Sequence, residues 1–432
     1  MTYRRVFVFW VPLAATWLMM AAEGPFLAAV IARLVDPKYN LAAYGVAFSF
    51  ALLVEAPVIM MMSASTALVR DKASYIKLRN FTYALNALIT GVMLIGLTPQ
   101  VFNWLVMGVI GLPENVARLT HLALIVLIPW PGAIGYRRFL HGVLIRSNLT
   151  RRVAYTTMIR LSTMASTALV LFWFTNLQGA VVGAAALSAG VSLEAIAARF
   201  LAHGVIKRLL SGEDSNTSRQ TTMSYASIAK FYYPLALTSL IALGAHPIIA
   251  FFMGKSRFAV DSLAVLPVTI SLAFIFISLA LSYQEVVITF MGERGENYAT
   301  LKKFAGILAI GVFAAMSIIA YTPASRLWLE QVAGLSPELA AFATKPLKIL
   351  VIVPVFSVWL CFQRSFLVSV HRTGHITIAT VVEVSILVVT LFCAIRYLDF
   401  VGIIAAVIAL AFGRLCANLY LFSICQRILR GL

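Results

Sequence analysis

Charged residues are scarce in this sequence, and acidic residues are the scarcest of them. Only 12% of the 432 residues are charged, 16 acidic against 34 basic, whereas 61% are hydrophobic. This is far more apolar surface than a single water-soluble core of that length can bury. The composition therefore excludes an ordinary soluble protein and indicates one that crosses a membrane many times.

Motifs that carry catalytic chemistry are missing as well. The 4 cysteines show none of the CxxC spacing that is typical of metal and redox sites, and no GxxxxGK[ST] loop for ATP hydrolysis is present. The basic residues are scattered over short loops, which gives no support for a nucleic-acid partner. We therefore expect a protein that is not an enzyme and that needs no metal or cofactor. The non-transport alternative, a lipid-modifying membrane enzyme, lacks any cluster of nucleophiles or metal ligands.

Long apolar runs occupy nearly the whole chain. A hydrocarbon core about 30 Å thick needs about 20 apolar residues per helix, and the absence of period-two alternation argues against a β-barrel. Twelve spans are predicted, approximately at residues 6–33, 43–68, 80–98, 119–143, 153–175, 179–206, 229–253, 260–290, 303–321, 342–370, 376–395 and 399–425.

Arginine and lysine are concentrated on one side of these spans. That side includes Arg4 and Arg5 before the first span and Arg427 and Arg430 after the last one. Because cytoplasmic loops are enriched in Lys and Arg, both termini are predicted to be cytoplasmic. We expect the chain to lie in a bacterial inner membrane as a monomer, with membrane lipid and a small-molecule substrate as its partners.

The two halves of the chain repeat each other. The stretch "FWVPLAATWLMMAAEGPFLAA" from Phe9 aligns with "FYYPLALTSLIALGAHPIIAF" from Phe231, and the offset that lays Pro12 on Pro234 also lays Pro25 on Pro247. Matches at small slips continue through Trp104 and Trp328, Arg138 and Arg364, and Arg146 and Arg372.

This repeat defines the predicted architecture. We expect an N-lobe at residues 1–210, a cytoplasmic linker at 211–228 and a C-lobe at 229–432, with six helices in each lobe. Because six is an even number, the second copy enters the membrane in the same direction as the first, so the repeats are parallel. Two such lobes suit alternating access to a central cleft, and the predicted function is therefore secondary active transport.

Short motifs spread along the chain resemble those of a known superfamily. A glutamate late in the first span is followed by "LAAYGVAFSF" from Leu41, and later come "YYPLAL" from Tyr232, "HPIIAFF" from His246 and "PLKILVIVPV" from Pro346. The chain resembles the superfamily of multidrug and toxic-compound extrusion (MATE) transporters, polysaccharide flippases and lipid II flippases, and within it the progressive ankylosis type. One departure is His246, where that type has an arginine.

The resemblance implies an all-α MATE-like fold and three kinds of cargo. The ankylosis type implies export of a small polyanion such as pyrophosphate, citrate or a nucleotide. The extrusion branch implies export of organic cations, coupled to H⁺ or Na⁺, and a flippase implies a lipid-linked saccharide.

Buried polar residues in the spans are the candidate substrate or ion ligands. Glu23 and His246 occupy matching places just before Pro25 and Pro247, two prolines expected to bend their helices. An intramembrane carboxylate or imidazole should face the protein interior, where it could titrate and couple transport to protons. Packing of a kinked helix is the competing interpretation.

Two further glutamates and three arginines complete the candidate site. Glu55 lies in the second span and Glu285 toward the inner end of the eighth. Arg138, Arg364 and Arg414 lie in the fourth, tenth and twelfth spans, and an arginine fork suits carboxylate or phosphate. For the first two arginines the alternative is snorkelling to the interface. For Arg414 it is a structural ion pair, because aligning Gly183 with Gly402 places its counterpart beside Glu194.

Overall fold

The computed structural model describes residues 2–147, 149–211, 224–292, 295–370 and 372–431. Across these ranges the chain is helical, without strands. The first half contains α1 (Tyr3–Ala21), α2 (Glu23–Ala32), α3 (Pro37–Glu55), α4 (Met61–Leu68), α5 (Lys72–Gly96), α6 (Pro99–Asn103), α7 (Glu114–Val126), α8 (Pro129–Arg146), α9 (Thr150–Phe174) and α10 (Gly179–Ser211). The second half contains α11 (Tyr225–Gly254), α12 (Ala259–Phe290), α13 (Tyr298–Tyr321), α14 (Ala324–Arg326), α15 (Pro337–Leu350), α16 (Ile352–Ser369), α17 (Gly374–Arg396) and α18 (Gly402–Gly431).

These helices form 12 segments that are long and apolar enough to cross a membrane. Four segments consist of two consecutive helices each, namely α1 with α2, α3 with α4, α7 with α8, and α15 with α16. The twelve predicted spans and the all-α fold class are confirmed. Most of the predicted linker, residues 212–223, lies outside the described residues.

The order of elements repeats between the halves. Helices α5 to α10 are matched in sequence by α13 to α18, and a π-helical turn occurs at the same place in each series, Trp104–Ile110 and Leu327–Val332. The first two spans of each half differ, because α11 and α12 run unbroken through their prolines, Pro247 included, whereas the first-half helices are interrupted.

Prolines account for both interruptions. Pro25 cannot donate a hydrogen bond to the carbonyl of residue 21, and α1 ends there, with α2 beginning at Glu23. Pro57 likewise follows the end of α3 at Glu55 and lies in a short 3₁₀ turn, Ala56–Val58. Both interruptions therefore place a glutamate at a helix terminus.

Two compact units make up the chain, and they do not coincide with the sequence halves. One consists of Met1–Gly45 with Ile248–Leu432, and the other of Val46–Pro247. The first span thus belongs to the unit that contains most of the second half, and most of α11 belongs to the other unit.

In the unit Val46–Pro247, α8 packs against α4, α5 and α10. The apolar core includes the fully buried Met61, Leu78 and Leu140 and extends to the start of α11. The closest approach is at Gly142, where a Cβ atom would overlap the Ser65 hydroxyl and the Met62 carbonyl oxygen of α4. Only glycine therefore permits the observed packing of α4 on α8.

In the other unit, α12 is the central helix and contacts α1, α2, α16 and α18. Gly24 allows close contact with α12, since a Cβ there would lie 2.9 Å from the Ser271 Cβ. Farther along α12 the fully buried Tyr283 stacks on Phe304 with ring centroids 5.2 Å apart, and its hydroxyl donates to the Leu301 carbonyl at 2.7 Å.

Candidate substrate site

A cluster of charged side chains is buried inside the unit Val46–Pro247. One edge is Glu55, which is only 4% exposed. The Trp130 Nε1 donates to its Oε2 at 2.5 Å. Trp130 is near the N-terminus of α8, immediately after Pro129, the first residue of that helix. This hydrogen bond therefore joins the start of α8 to the end of α3, which Pro57 follows.

The centre of the cluster is Glu194 on α10, which is fully buried. Arg137 of α8 donates from Nη1 to Glu194 Oε2 at 2.5 Å, and Arg160 Nε of α9 lies 3.4 Å from the same oxygen. One carboxylate thus joins three helices of the unit. A buried carboxylate requires such partners, because an isolated charge would be too costly to desolvate.

His141 lies one turn beyond Arg137 on the same face of α8. Its Nε2 is 2.9 Å from the Thr156 Oγ1 and 3.9 Å from Glu194 Oε1. The histidine is 4% exposed. It therefore extends the polar cluster from α8 to α9.

Arg138 differs from its neighbour. Successive residues on a helix point about 100° apart, so Arg138 cannot share the direction of Arg137. Its Nε is buried without a hydrogen bond, and its guanidinium forms no ion pair with any residue in the described ranges. It interacts over longer range with Glu55 and Glu194. The side chain as a whole is partly exposed.

The charges of this cluster do not cancel. Three guanidinium groups, on Arg137, Arg138 and Arg160, face the two carboxylates of Glu55 and Glu194. The arginines of this cluster outnumber its glutamates by one, and Arg138 is the arginine that forms no direct ion pair with a described residue.

The other unit contains a similar arrangement of one glutamate and two arginines. We call it the second triad, and Glu194 with Arg137 and Arg160 the first triad. Glu383 of α17 is held by Arg364 Nη2 at 3.3 Å and by Arg414 Nε at 3.2 Å. Arg364 also donates to the Thr380 hydroxyl at 3.3 Å, and Arg414 donates to the Ser357 hydroxyl. Both predicted arginines are therefore engaged by the protein, unlike Arg138.

The two triads differ in which helix carries the carboxylate. The carboxylate is on α10 in the first triad and on α17 in the second, where α17 is the counterpart of α9. Gly190 packs on the Arg160 backbone and Gly413 packs on the Glu383 backbone, which makes these glycines counterparts. The alignment of Gly183 with Gly402 is therefore wrong by one helical turn, because it matched glycines without this helix contact.

The remaining predicted residues are placed separately. Glu23 begins α2 and interacts with Tyr44 of the same unit. Glu285 is exposed on α12 and is hydrogen-bonded to Trp17. His246 is partly buried within α11 and interacts within the described structure. That Glu23, Glu55 and His246 line one cleft between the lobes stays a prediction.

Sequence reasoning did not assign Glu194, Trp130 and His141 to the site. The signal for Glu194 was present, since a lone carboxylate deep in an apolar span requires a basic partner. Nothing in the sequence around Trp130 indicated that it belongs to the site. In the described part of the chain, no group of three or more His, Cys, Asp and Glu side chains is placed to hold a metal ion.

Solved structures show which known fold this is. A multidrug-resistance MATE family transporter of the MOP superfamily, in an inward-facing conformation, matches with a TM-score of 0.74 and 14% identity over 98% of each chain. The lipid II flippase MurJ matches with a TM-score of 0.76 and 15% identity, over 96% of this chain and 87% of that one. A MOP superfamily transporter from Pyrococcus furiosus matches with a TM-score of 0.65 and 15% identity, over 98% of this chain and 96% of that one. It is reported to have a binding pocket of reverse polarity that suggests a different function.

No known protein family and no curated protein matches the sequence. At identities of 14 to 15% the structural matches establish the fold alone. The chain is therefore an integral membrane protein with the twelve-span, all-helical fold of MATE transporters.

Proposed function

We propose that this protein is a secondary active transporter that exports a small anion by alternating access. The proposal is supported first by the fold, because the solved proteins that share it are named as transporters and a flippase. It is supported second by the described residues containing no group of His, Cys, Asp and Glu side chains that could hold a metal ion, as a metal-dependent lipid-modifying enzyme would need.

The single observation that carries the sign of the cargo is Arg138. It lies two turns before the end of α8 at Arg146, about 12 Å at 1.5 Å per residue. An arginine within a span is costly, up to about 2.5–3.5 kcal/mol at the centre, so one that forms no direct ion pair with a described residue is a candidate for binding a ligand. Its planar fork can bind a carboxylate or phosphate through two parallel hydrogen bonds.

Glu55 argues against a cationic cargo at this place. Its carboxylate accepts a hydrogen bond from Trp130 and interacts with Arg138, Arg137 and Arg160. These three guanidinium groups would repel an organic cation bound beside Glu55. The polarity reported for the Pyrococcus furiosus transporter supports the idea that this fold accommodates binding sites of either sign.

The finer assignments are also proposals. The resemblance to the progressive ankylosis type favours a polyanion of the pyrophosphate, citrate or nucleotide class, although His246 departs from that type. Glu23 and His246 are proposed to carry the coupling protons, with Na⁺ as the alternative ion. The distribution of arginine and lysine favours cytoplasmic termini, and a bacterial inner membrane is the proposed location.

Flux into proteoliposomes tests the proposal. Pyrophosphate and citrate uptake should fall at least about tenfold in Arg138→Gln, because a charge-assisted hydrogen bond worth about 1.5–3 kcal/mol is lost. Arg118→Gln is the matched control, since Arg118 is exposed near the other end of the same span and should not matter.

A cationic dye, measured with the same vesicles, gives the opposing outcome. Unchanged anion flux in Arg138→Gln, together with dye efflux that requires Glu55, would replace the anion proposal with multidrug extrusion. Transport of neither cargo, with flipping of a lipid-linked saccharide instead, would support a flippase.

A further inference from the structure

A second basic site is present in the unit Val46–Pro247, at the ends of α4, α8 and α10. It is a pocket of about 350 Å³ that includes Arg70, Arg146 and Arg208 in its lining. We propose that this pocket binds a phosphate-bearing anion, either a phospholipid headgroup or a soluble phosphate. The site is separate from Arg138 and does not depend on the proposed transport function.

The pocket follows from the packing of α4 on α8. At Gly142 the two helices are in close contact, and the Thr66 hydroxyl donates to the Gly142 carbonyl at 3.3 Å. One turn later, Arg146 Nη1 donates to the Thr66 carbonyl at 3.2 Å. This bond holds one guanidinium at the pocket rim and caps the end of α4.

The floor of the pocket is apolar and rigid. Val69, Val143 and Val205 line it and are 2%, 1% and 6% exposed, respectively. All three belong to the core cluster of this unit. The arginines are therefore attached to the packed core rather than to a loose loop, which limits the entropy lost when they bind a ligand.

Among the described residues, those that line the pocket include no carboxylate to neutralise the arginines. Asp71, the neighbour of Arg70, is committed elsewhere, because it caps α5 by accepting from the Ser74 backbone N–H at 2.8 Å. The guanidinium groups of Arg70 and Arg208 make no hydrogen bond or ion pair within the described chain. By contrast, Arg152, near the start of α9, donates to the Leu201 carbonyl at 2.6 Å.

The chemistry of this arrangement fits phosphate. Arginine binds phosphate oxygens through two parallel N–H groups, and three guanidinium groups exceed the charge of a phosphodiester. The pocket is level with the ends of the spans, where phospholipid headgroups lie, and basic pockets between transmembrane helices bind anionic headgroups. The valine floor could accept the glycerol backbone of a lipid.

Binding can be measured on the full-length protein in detergent by native mass spectrometry and by thermal unfolding. The probes are dioleoyl phosphatidylglycerol, the neutral dioleoyl phosphatidylcholine, and inorganic phosphate. Wild-type protein should retain phosphatidylglycerol in preference to phosphatidylcholine, or be stabilised by inorganic phosphate. The first result identifies a lipid headgroup as the source, and the second a soluble anion.

Arg70→Gln with Arg208→Gln is the decisive variant, because neither guanidinium makes a hydrogen bond or ion pair with another described residue, so the fold should be retained. We expect probe affinity to fall at least about tenfold, with an unchanged melting temperature in the absence of probe. Lys207→Gln is the matched control, since Lys207 precedes Arg208 on α10, is exposed and does not line the pocket. Arg70→Lys with Arg208→Lys should restore only part of the binding, because lysine keeps the charge but lacks the guanidinium fork.

The proposal is overturned if the double glutamine variant binds every probe as tightly as the wild type does. It is equally overturned if Lys207→Gln reduces binding as much as the double variant, because the effect would then be one of overall charge.

Discussion

Replacing Glu194 by glutamine should destabilise the protein strongly, although it changes neither shape nor volume. The carboxylate is completely buried, and the side chains of its partners Arg137 and Arg160 are 9% and 11% exposed. Removing the shared counter-charge takes the ion-pair partner from Arg137 and removes the carboxylate that lies 3.4 Å from Arg160, with the charge of Arg138 nearby. Loss of one member of a buried ion pair costs about 3–5 kcal/mol, which is a large share of the stability of a typical domain.

Glu383→Gln provides an internal comparison. The Glu383 side chain is 18% exposed, and those of Arg364 and Arg414 are 26% and 22% exposed, so this triad is less completely buried than the one around Glu194. Arg364 also keeps its bond to Thr380, and Arg414 keeps its bond to Ser357. The loss should therefore be smaller, about 1–3 kcal/mol.

The free energy of unfolding can be obtained from reversible SDS titration in mixed micelles, followed by tryptophan fluorescence. Glu114→Gln, at an exposed position on α7, serves as the neutral control. Combining Glu194→Gln with Arg137→Met should recover part of the loss, since one unpaired charge is removed, with a coupling energy of about 0.5–3 kcal/mol. Equal losses at Glu194 and Glu383, or strictly additive effects in the double variant, would refute the argument.

Two other substitutions test local features. Gly142→Ala should cost about 1–3 kcal/mol by overpacking α4 against α8. Gly204→Ala, with open space around its Cβ, should be neutral or slightly stabilising in the same titration. A neutral Gly142→Ala would contradict the close contact between α4 and α8. Asp71→Ala should cost about 1 kcal/mol at neutral pH by removing the cap of α5. The Ser74 backbone N–H lowers the pKa of Asp71 below its usual value, so the capping contribution is present above that usual pKa and is lost as the pH falls through the lowered one. Thermal unfolding of wild type and variant should therefore converge in acid, and a difference that persists there would contradict this account.

The twelve spans could be predicted from the sequence, because twenty apolar residues in a row have few other uses. The interruption of the first span was expected from Pro25, which removes a specific backbone hydrogen bond, although α11 runs unbroken through the matching Pro247. Both rest on local chemistry. The composition of the charged clusters was not predictable to the same degree.

Arg414 illustrates why. A structural ion pair was one of its expected roles, but its partner is Glu383 on α17 rather than a residue suggested by alignment with the first half. Which side chains meet depends on the rotation of each helix about its axis, and a register error of one turn is invisible in an apolar stretch. Arg138 and Arg364 show the same limit, because equivalent positions in the repeat have different partners.

The exchanged carboxylate of the two triads bears on how the duplicated halves diverged. The fourth span of each half carries an arginine, Arg137 on α8 or Arg364 on α16. This arginine can form an ion pair with a glutamate that arises on either of the next two spans. An intermediate with glutamates on both helices would have had a basic partner throughout, so the acid could change helices without an unpaired stage. Comparison of the halves residue by residue records this as two unfavourable substitutions, although the interaction itself was kept. Ancient duplications in membrane proteins should therefore be sought by comparing which helices are joined by charge, in addition to which residues align.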